Sequence, residues 1–190
     1  MYIYSNKQVV KIYTYILLSL IFFVSCKSKE PVQVDSAGIR PEIQALAEKI
    51  EADNFIGTDQ IGRMPGTSQA YSRRMELMQK ASNEELVLLT DDDNSAVSLT
   101  ALEGLYKRSY EKLPEIMAKY AERDDYIHYL KGDISMPMPA LEYAYTYIFH
   151  KPMPGETLPY ELDEPFTRFQ LPETLESTII EKITKLREQK

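Results

Sequence analysis

Cysteine, histidine, glycine and tryptophan are all scarce in this chain, and the first three scarcities exclude classes of functional site. The 190 residues include one cysteine, two histidines, seven glycines and no tryptophan. A single cysteine allows no disulfide within the chain, and His128 and His150 lack the spacing and cysteine partners of a zinc site. The glycines are spaced wrongly for a phosphate-binding loop, and no glycine-flanked serine marks a nucleophile elbow. We therefore expect no enzyme, no metal and no cofactor.

Positive charge is also in short supply. The chain has 22 basic and 29 acidic side chains, and without its first 25 residues, which hold Lys7 and Lys11, it would have 20 and 29, a net charge of −9. Nucleic-acid binding depends on Lys and Arg side chains that neutralise phosphates. We therefore expect no nucleic acid among the partners and no general attraction to anionic lipid head groups.

Apolar runs are short in this chain, and the longest of them lies near the N-terminus. Residues 12–25 form an apolar run of 14 residues after the positive charges of Lys7 and Lys11. A membrane-spanning helix needs about 20 apolar residues, so this run is too short to span a bilayer. A basic stretch followed by a short apolar run is typical of a secretion signal, and this one ends at Cys26, the only cysteine.

The four residues Phe23-Val24-Ser25-Cys26 resemble the lipobox of bacterial lipoprotein signals. The resemblance implies cleavage before Cys26, lipidation of its thiol and attachment to a membrane of the cell envelope through that lipid. Lys27 and Ser28 follow the cysteine, where an Asp would imply retention in the inner membrane, so the outer membrane is expected. This gives a signal peptide over 1–25, a lipidated cysteine and flexible tether over 26–39, and a domain over 40–190.

Apolar residues recur at helical spacing through most of this domain. A loop is expected over 54–66, where three glycines and a proline occur, and another over 151–170, which holds four prolines. The segment 125–133 could be extended. Residues 140–150 fit a strand or a helix, and Pro139 at the start favours the helix. The helices are expected from Pro41, over 68–80, over 84–90, around 97–105, over 113–120, over 140–150 and from Pro172.

The sequence also indicates how one helix begins and which side chains are buried. Ser82 and Glu85 have the spacing of a capping box, in which each side chain bonds the backbone N–H of the other residue. The apolar faces of the helices predict a set of core residues. These residues are Leu86, Leu89, Val97, Ala101, Leu105, Ile116, Met117, Ile179 and Ile183.

Three pairs of residues in this region are each 31 positions apart: Leu86 and Met117, Leu89 and Tyr120, and Asp93 and Asp124. The segment 82–127 resembles the HEAT-repeat family. The residues that carry the resemblance are Leu86, Leu89, Asp91, Asn94, Val97, Ala101, Leu105, Leu113, Pro114 and Ile116. It implies an all-α fold, a short HEAT-like array of helices. Because two repeats cannot bury their own faces, the flanking helices would act as capping helices.

Two acidic clusters have more than one interpretation. The run from Asp91 to Ser95 could start a calcium loop, but the positions that need Gly and Glu are Ala96 and Leu102, so a helix cap is favoured. Asp124 and Asp125 could form a carboxylate pair for glycoside chemistry, but adjacent acids after a helix are more often a solvated helix end.

Tyrosines are concentrated in the second half of the domain. Tyr126, Tyr129, Tyr143 and Tyr147 belong to an aromatic cluster that forms either a partner-binding surface or the core under the C-terminal helix. Tyrosine is enriched where few residues dominate binding, so these four are the candidate partner-binding residues.

The expected function is that of a membrane-anchored envelope lipoprotein whose helical scaffold binds an envelope protein. The alternative is a glycan-binding or polysaccharide-handling accessory lipoprotein.

Overall fold

The computed structural model describes residues 38–61, 68–158 and 170–189. The expected signal peptide, Cys26 and most of the expected tether lie outside these ranges. The described part forms seven α-helices and three strands. They are α1 (Pro41–Asp53), β1 (Phe55–Ile61), α2 (Gln69–Lys80), α3 (Asn83–Leu89), α4 (Ser95–Lys107), α5 (Leu113–Tyr120), β2 (Tyr126–Gly132), β3 (Ile134–Pro139), α6 (Ala140–Tyr143), which continues as a π-helical turn (Ala144–Ile148), and α7 (Glu173–Glu188).

The helix α4 forms the centre of the core. Every residue from Ser95 to Leu102 is buried, so this helix is enclosed on all sides over two turns. At its other end Gly104 allows close helix packing, because a Cβ there would lie 3.1 Å from a methyl group of Leu86. All nine predicted core residues are buried, from Leu86 in α3 to Ile183 in α7.

Both predicted helix starts around α3 and α4 are confirmed. The Ser82 hydroxyl accepts from the Glu85 amide, and the Glu85 carboxylate accepts from the Ser82 amide at 2.7 Å, which completes the capping box. The Asn94 side chain caps α4 by accepting from the amides of Ala96 and Val97. The favoured interpretation of the acidic run at 91–95 is therefore the observed one.

The prediction of an all-α fold is wrong, because the domain contains a three-stranded sheet in the order β1-β2-β3. β1 and β2 are parallel and β2 and β3 are antiparallel. β1 lies in the segment expected to be a loop, and β2 lies where an extended piece was considered. Parallel strands need a long crossover, which the helices α2 to α5 provide here.

Two prolines hid β3 from sequence analysis, and its position in the sheet explains how they fit. The Ala140 amide donates to the Asp125 carbonyl at 2.9 Å. This bond fixes which residues of β3 direct their backbone N–H and C=O groups towards β2. By this alternation Pro137 and Pro139 face away from β2, where the lack of an N–H costs no hydrogen bond in the sheet. β3 is an edge strand whose outward side has lost two donors, which protects it against pairing with another strand.

The HEAT-like array is wrong as a description of the domain for a related reason. The helices α3, α4 and α5 lie where the repeat was expected, but after α5 the described chain continues into β2 and β3. Gly132 has a φ of +59° and starts the tight turn between β2 and β3. The sheet packs against α2 and α4, and its strands follow α5 in the chain where a further repeat would otherwise be required.

A clamp between Arg40 and Glu85 holds the start of α1 against α3. The Arg40 side chain donates to both carboxylate oxygens of Glu85, at 2.9 and 2.8 Å, and the Arg40 amide donates at 2.9 Å. The Glu85 side chain is only 5% exposed. These bonds lower the pKa of Glu85 to about 2, and the hydrogen bond from the Arg40 side chain is the largest cause.

This clamp predicts a loss of stability in acid. Because the pKa of Glu85 is lower in the folded than in the unfolded protein, its contribution is complete at neutral pH and is lost as pH falls from about 4.5 towards 2. A shift of this size corresponds to about 3 kcal/mol of unfolding free energy. We expect Glu85→Gln to be less stable at pH 7 and to show a weaker acid dependence between pH 5 and 2.

Urea unfolding at a series of pH values measures this effect. Glu48→Gln, on the exposed side of α1, is the matched control and should keep the acid dependence of the wild type. An acid dependence of Glu85→Gln equal to that of the wild type would show that the clamp does not contribute.

Candidate functional site

Three of the four candidate tyrosines form one aromatic cluster under the sheet. The Tyr143 and Tyr147 rings stack one helical turn apart, with centroids 5.1 Å apart, and the Tyr129 ring lies 5.5 and 4.7 Å from them. Tyr129 and Tyr143 are buried and Tyr147 is half-buried. Burial raises the pKa of Tyr147 to about 12 and that of Tyr143 further. In this chain the cluster forms part of the core.

Tyr126 is separate from this cluster. Tyr126 is 38% exposed, and its hydroxyl donates to the Leu186 carbonyl of α7 at 2.8 Å. Alternation along β2 places its side chain on the face of the sheet opposite to that of Tyr129. The structure therefore does not bring the four candidates together on one surface.

A buried arginine lies beside the aromatic cluster. Arg74 in α2 is 4% exposed, its Nε donates to Thr100 at 3.0 Å, and its guanidinium pairs with Glu103. The Tyr143 hydroxyl interacts with the same guanidinium. Burial by itself lowers the pKa of Arg74, but Glu103 and Tyr143 outweigh it, so the pKa is raised and the side chain stays charged. These contacts link α2, α4 and α6 within the core.

The described part of the chain contains a groove between the α3–α4 turn and α5. Its volume is about 440 Å³, within the range of binding pockets. We call it the α5 groove. Its lining residues are Thr90, Asp91, Ile116, Lys119, Tyr120, Glu122 and Arg123.

Arg123 fixes the floor of the α5 groove. Its guanidinium donates to the Asp92 carbonyl at 2.8 Å and to the Asp125 carboxylate at 3.1 and 2.8 Å. It also lies 5.0 Å from the centre of the Tyr120 ring, a distance suited to a cation–π contact. The turn after α3 and the turn after α5 are thereby held together, so the floor is formed before any ligand binds.

The rim of the α5 groove is held much more weakly. Lys119 and Asp91 pair across it at 3.7 Å, with side chains 72% and 62% exposed. An exposed pair of this kind contributes about 0–1 kcal/mol, so a ligand can displace it at small cost. Exposed acids surround the rim, because Asp93, Glu122 and Asp124 lie on the two turns.

The two adjacent carboxylates of this region have separate roles. Asp125 pairs with Arg123 and accepts a hydrogen bond from Ser95, whereas Asp124 pairs with Lys182 of α7. Burial would raise the pKa of Asp125, but the bonds from Arg123 and Ser95 outweigh it and the pKa is lowered. Asp125 is thus a fixed negative charge and not a proton donor near neutral pH.

Two further features of the described ranges bear on the type of site. No group of three or more His, Cys, Asp or Glu residues is placed there to hold a metal ion. None of the helices in this part of the chain has the length and apolar character needed to span a bilayer.

Comparison with models of known protein families, with curated proteins and with solved structures gives no match.

Sequence reasoning did not identify the α5 groove, although one pattern pointed to it. The 31-residue offset that suggested a repeat pairs Asp93 with Asp124. In the structure these residues lie on the two turns that Arg123 joins. The offset therefore marked two turns that are neighbours in space, in a domain that is not all-α.

Proposed function

We propose that this protein is a lipid-anchored binding protein of the bacterial cell envelope, attached to the outer membrane through Cys26. The support for attachment is the sequence itself: a basic stretch, a short apolar run and a lipobox-like tetrapeptide ending at the only cysteine. The described domain begins 12 residues later, at Gly38. A lipid on Cys26 would therefore hold the domain close to the membrane surface.

The ligand in this proposal is another envelope protein, and the α5 groove is the observation that supports it. The groove has a fixed floor, a displaceable rim and both apolar and charged lining residues, such as Ile116 and Glu122. Preorganised sites of this kind lose little conformational freedom on binding. The exposed acids around the rim favour a basic surface on the partner, and such a contact weakens as salt rises.

The glycan-binding alternative would be favoured by a row of exposed tyrosines beside acids. Tyr129 and Tyr143 are buried, and Tyr126 lies on the opposite face of the sheet. Within the described part of the chain these tyrosines form no such row, so we propose a protein partner.

Neutralising the rim of the α5 groove tests this proposal. In Asp91→Asn, Glu122→Gln we expect a loss of capture of proteins crosslinked from envelope fractions, because two charges that attract a basic partner are removed. Both side chains are exposed, so the fold should be unaffected. Capture of the same proteins by the wild type should fall as salt is raised.

The matched control is Glu48→Gln, Glu51→Gln, which removes two exposed acids from α1. It should capture the same proteins as the wild type, with the same salt dependence. If the groove variant and this control capture those proteins equally well, the α5 groove is not the binding site.

A further inference from the structure

The β2–β3 hairpin carries a row of apolar side chains that emerges from the core. Alternate residues of a strand share a face, so Met138, Met136 and Ile134 of β3 lie on one side of the sheet. Their exposed fractions rise towards the turn, from 9% to 36% to 60%. Tyr129, opposite Met136 on this face, is buried. The base of the hairpin is thus covered, and its tip projects into solvent with apolar side chains.

Strand addition is not a use for this tip. Pro137 and Pro139 remove two of the donors on the outward edge of β3, so another strand cannot pair regularly there. A binding partner of this tip would therefore contact the apolar side chains on this face of the sheet. Ile134 is the most exposed large apolar side chain in the described part of the chain.

The charges at the tip balance. Lys131 lies directly opposite Ile134, and Asp133 occupies the turn between them. The long Lys131 side chain can keep its amine in a polar layer while its methylenes lie along an apolar one. The domain as a whole is acidic, so attraction between net charges does not bring it to an anionic membrane. A neutral tip with apolar side chains is the part suited to a phospholipid surface.

We infer that the tip of the β2–β3 hairpin docks on the phospholipid bilayer to which the chain is anchored, with Ile134 and Met136 in the interfacial layer. This inference rests on the proposed anchoring through Cys26. The 12 residues from Cys26 to Gly38 can span at most about 40 Å. A domain of about 150 residues has a radius of gyration of about 15 Å and is therefore about 40 Å across. The connection thus allows the hairpin to reach the bilayer whichever face of the domain it leaves.

Anchoring by the lipid also explains why two apolar side chains are enough to dock the hairpin on the bilayer. As a free protein the domain would bind bilayers weakly, because a small apolar area must offset the loss of translational freedom. Once the lipid holds the chain, docking of the hairpin becomes an intramolecular step at high effective concentration. The contact would orient the domain on the membrane, and it need not hold the domain there.

A single introduced tryptophan tests this inference, because the chain has none of its own. Ile134→Trp is made in the mature lipidated protein, which is reconstituted into vesicles of phosphatidylethanolamine and phosphatidylglycerol. We expect its emission to shift to shorter wavelength on reconstitution and to be quenched when the lipids carry brominated acyl chains. Ala118→Trp, on the exposed side of α5, is the control and should show neither effect.

Flotation of the same samples separates the two proposals. Emission from Ile134→Trp that is equal in plain and brominated vesicles, in protein that floats with the lipid, would overturn hairpin docking and leave the anchor intact. Protein that does not float would overturn the anchoring and the docking together. In cells, a photoreactive side chain at position 134 should crosslink to phospholipid. Crosslinks to protein alone would assign the hairpin to a protein partner and overturn this inference.

Discussion

Replacement of Arg74 by methionine is expected to lower the unfolding free energy by about 3–5 kcal/mol, the usual effect of removing one partner of a buried ion pair. Methionine has a similar length, so the change removes the charge and its hydrogen bonds with little change in volume. Thr100 and Tyr143 would lose the guanidinium, and Glu103 would lose its main partner and keep its ion pair with Lys107. Urea unfolding followed by circular dichroism measures the effect.

The neighbouring arginine provides a matched control. Arg73 pairs with Asp53 at 2.7 Å, but its side chain is 32% exposed, and Arg73→Met should cost about 0–1 kcal/mol. Adding Glu103→Gln to Arg74→Met should restore part of the loss, because it removes the carboxylate left without its main partner. If Arg74→Met costs no more than Arg73→Met, the buried network does not stabilise the core.

The helices could be predicted because their evidence is local. A period of 3.6 residues, a capping box at Ser82 and a proline at the start of α1 all act within a few residues of one another. α7 follows its predicted face, with Ile179, Ile183 and Leu186 buried. Residues 140–148 are helical, which was the favoured interpretation. The π-helical hydrogen bond from the Phe149 amide to the Ala144 carbonyl does not follow from any local sequence pattern.

The sheet could not be predicted because its support is not local. Phe55–Ile61 contains a glycine and polar residues, and it becomes a strand through pairing with β2, more than 60 residues further along the chain. β3 carries two prolines that argue against a strand unless the direction of its hydrogen bonds is known. That direction depends on the register with β2, which the sequence of β3 does not specify.

The candidate sites also differ in how far the local sequence could predict them. Aromatic composition alone could not separate core from surface, and the structure places Tyr129 and Tyr143 in the core. Arg74 shares the buried face of α2 with Ala70, Leu77 and Met78, so its position on an apolar stripe was a usable indication of a buried charge. The α5 groove depends on contacts of Arg123 about 30 residues apart in sequence, which no local motif reports.

The proposed function depends on attachment through Cys26, and replacing this residue is expected to have the largest effect on where the protein is found. Acyl chains anchor by burying methylene groups at about 0.8 kcal/mol each, so stable attachment requires the lipid. Cys26→Ala would remove the only thiol that can carry it. Ser28→Ala, two residues further along, is the matched control and keeps the cysteine.

The most direct measurement is fractionation of cells that express the wild type, Cys26→Ala or Ser28→Ala, after labelling with a radioactive fatty acid. We expect the wild type and Ser28→Ala to be labelled and to sediment with the outer membrane. Cys26→Ala should be unlabelled and absent from the membrane fraction. A Cys26→Ala protein that still sediments with membranes, or a wild type that incorporates no fatty acid, would contradict the proposal that this protein is anchored by a lipid.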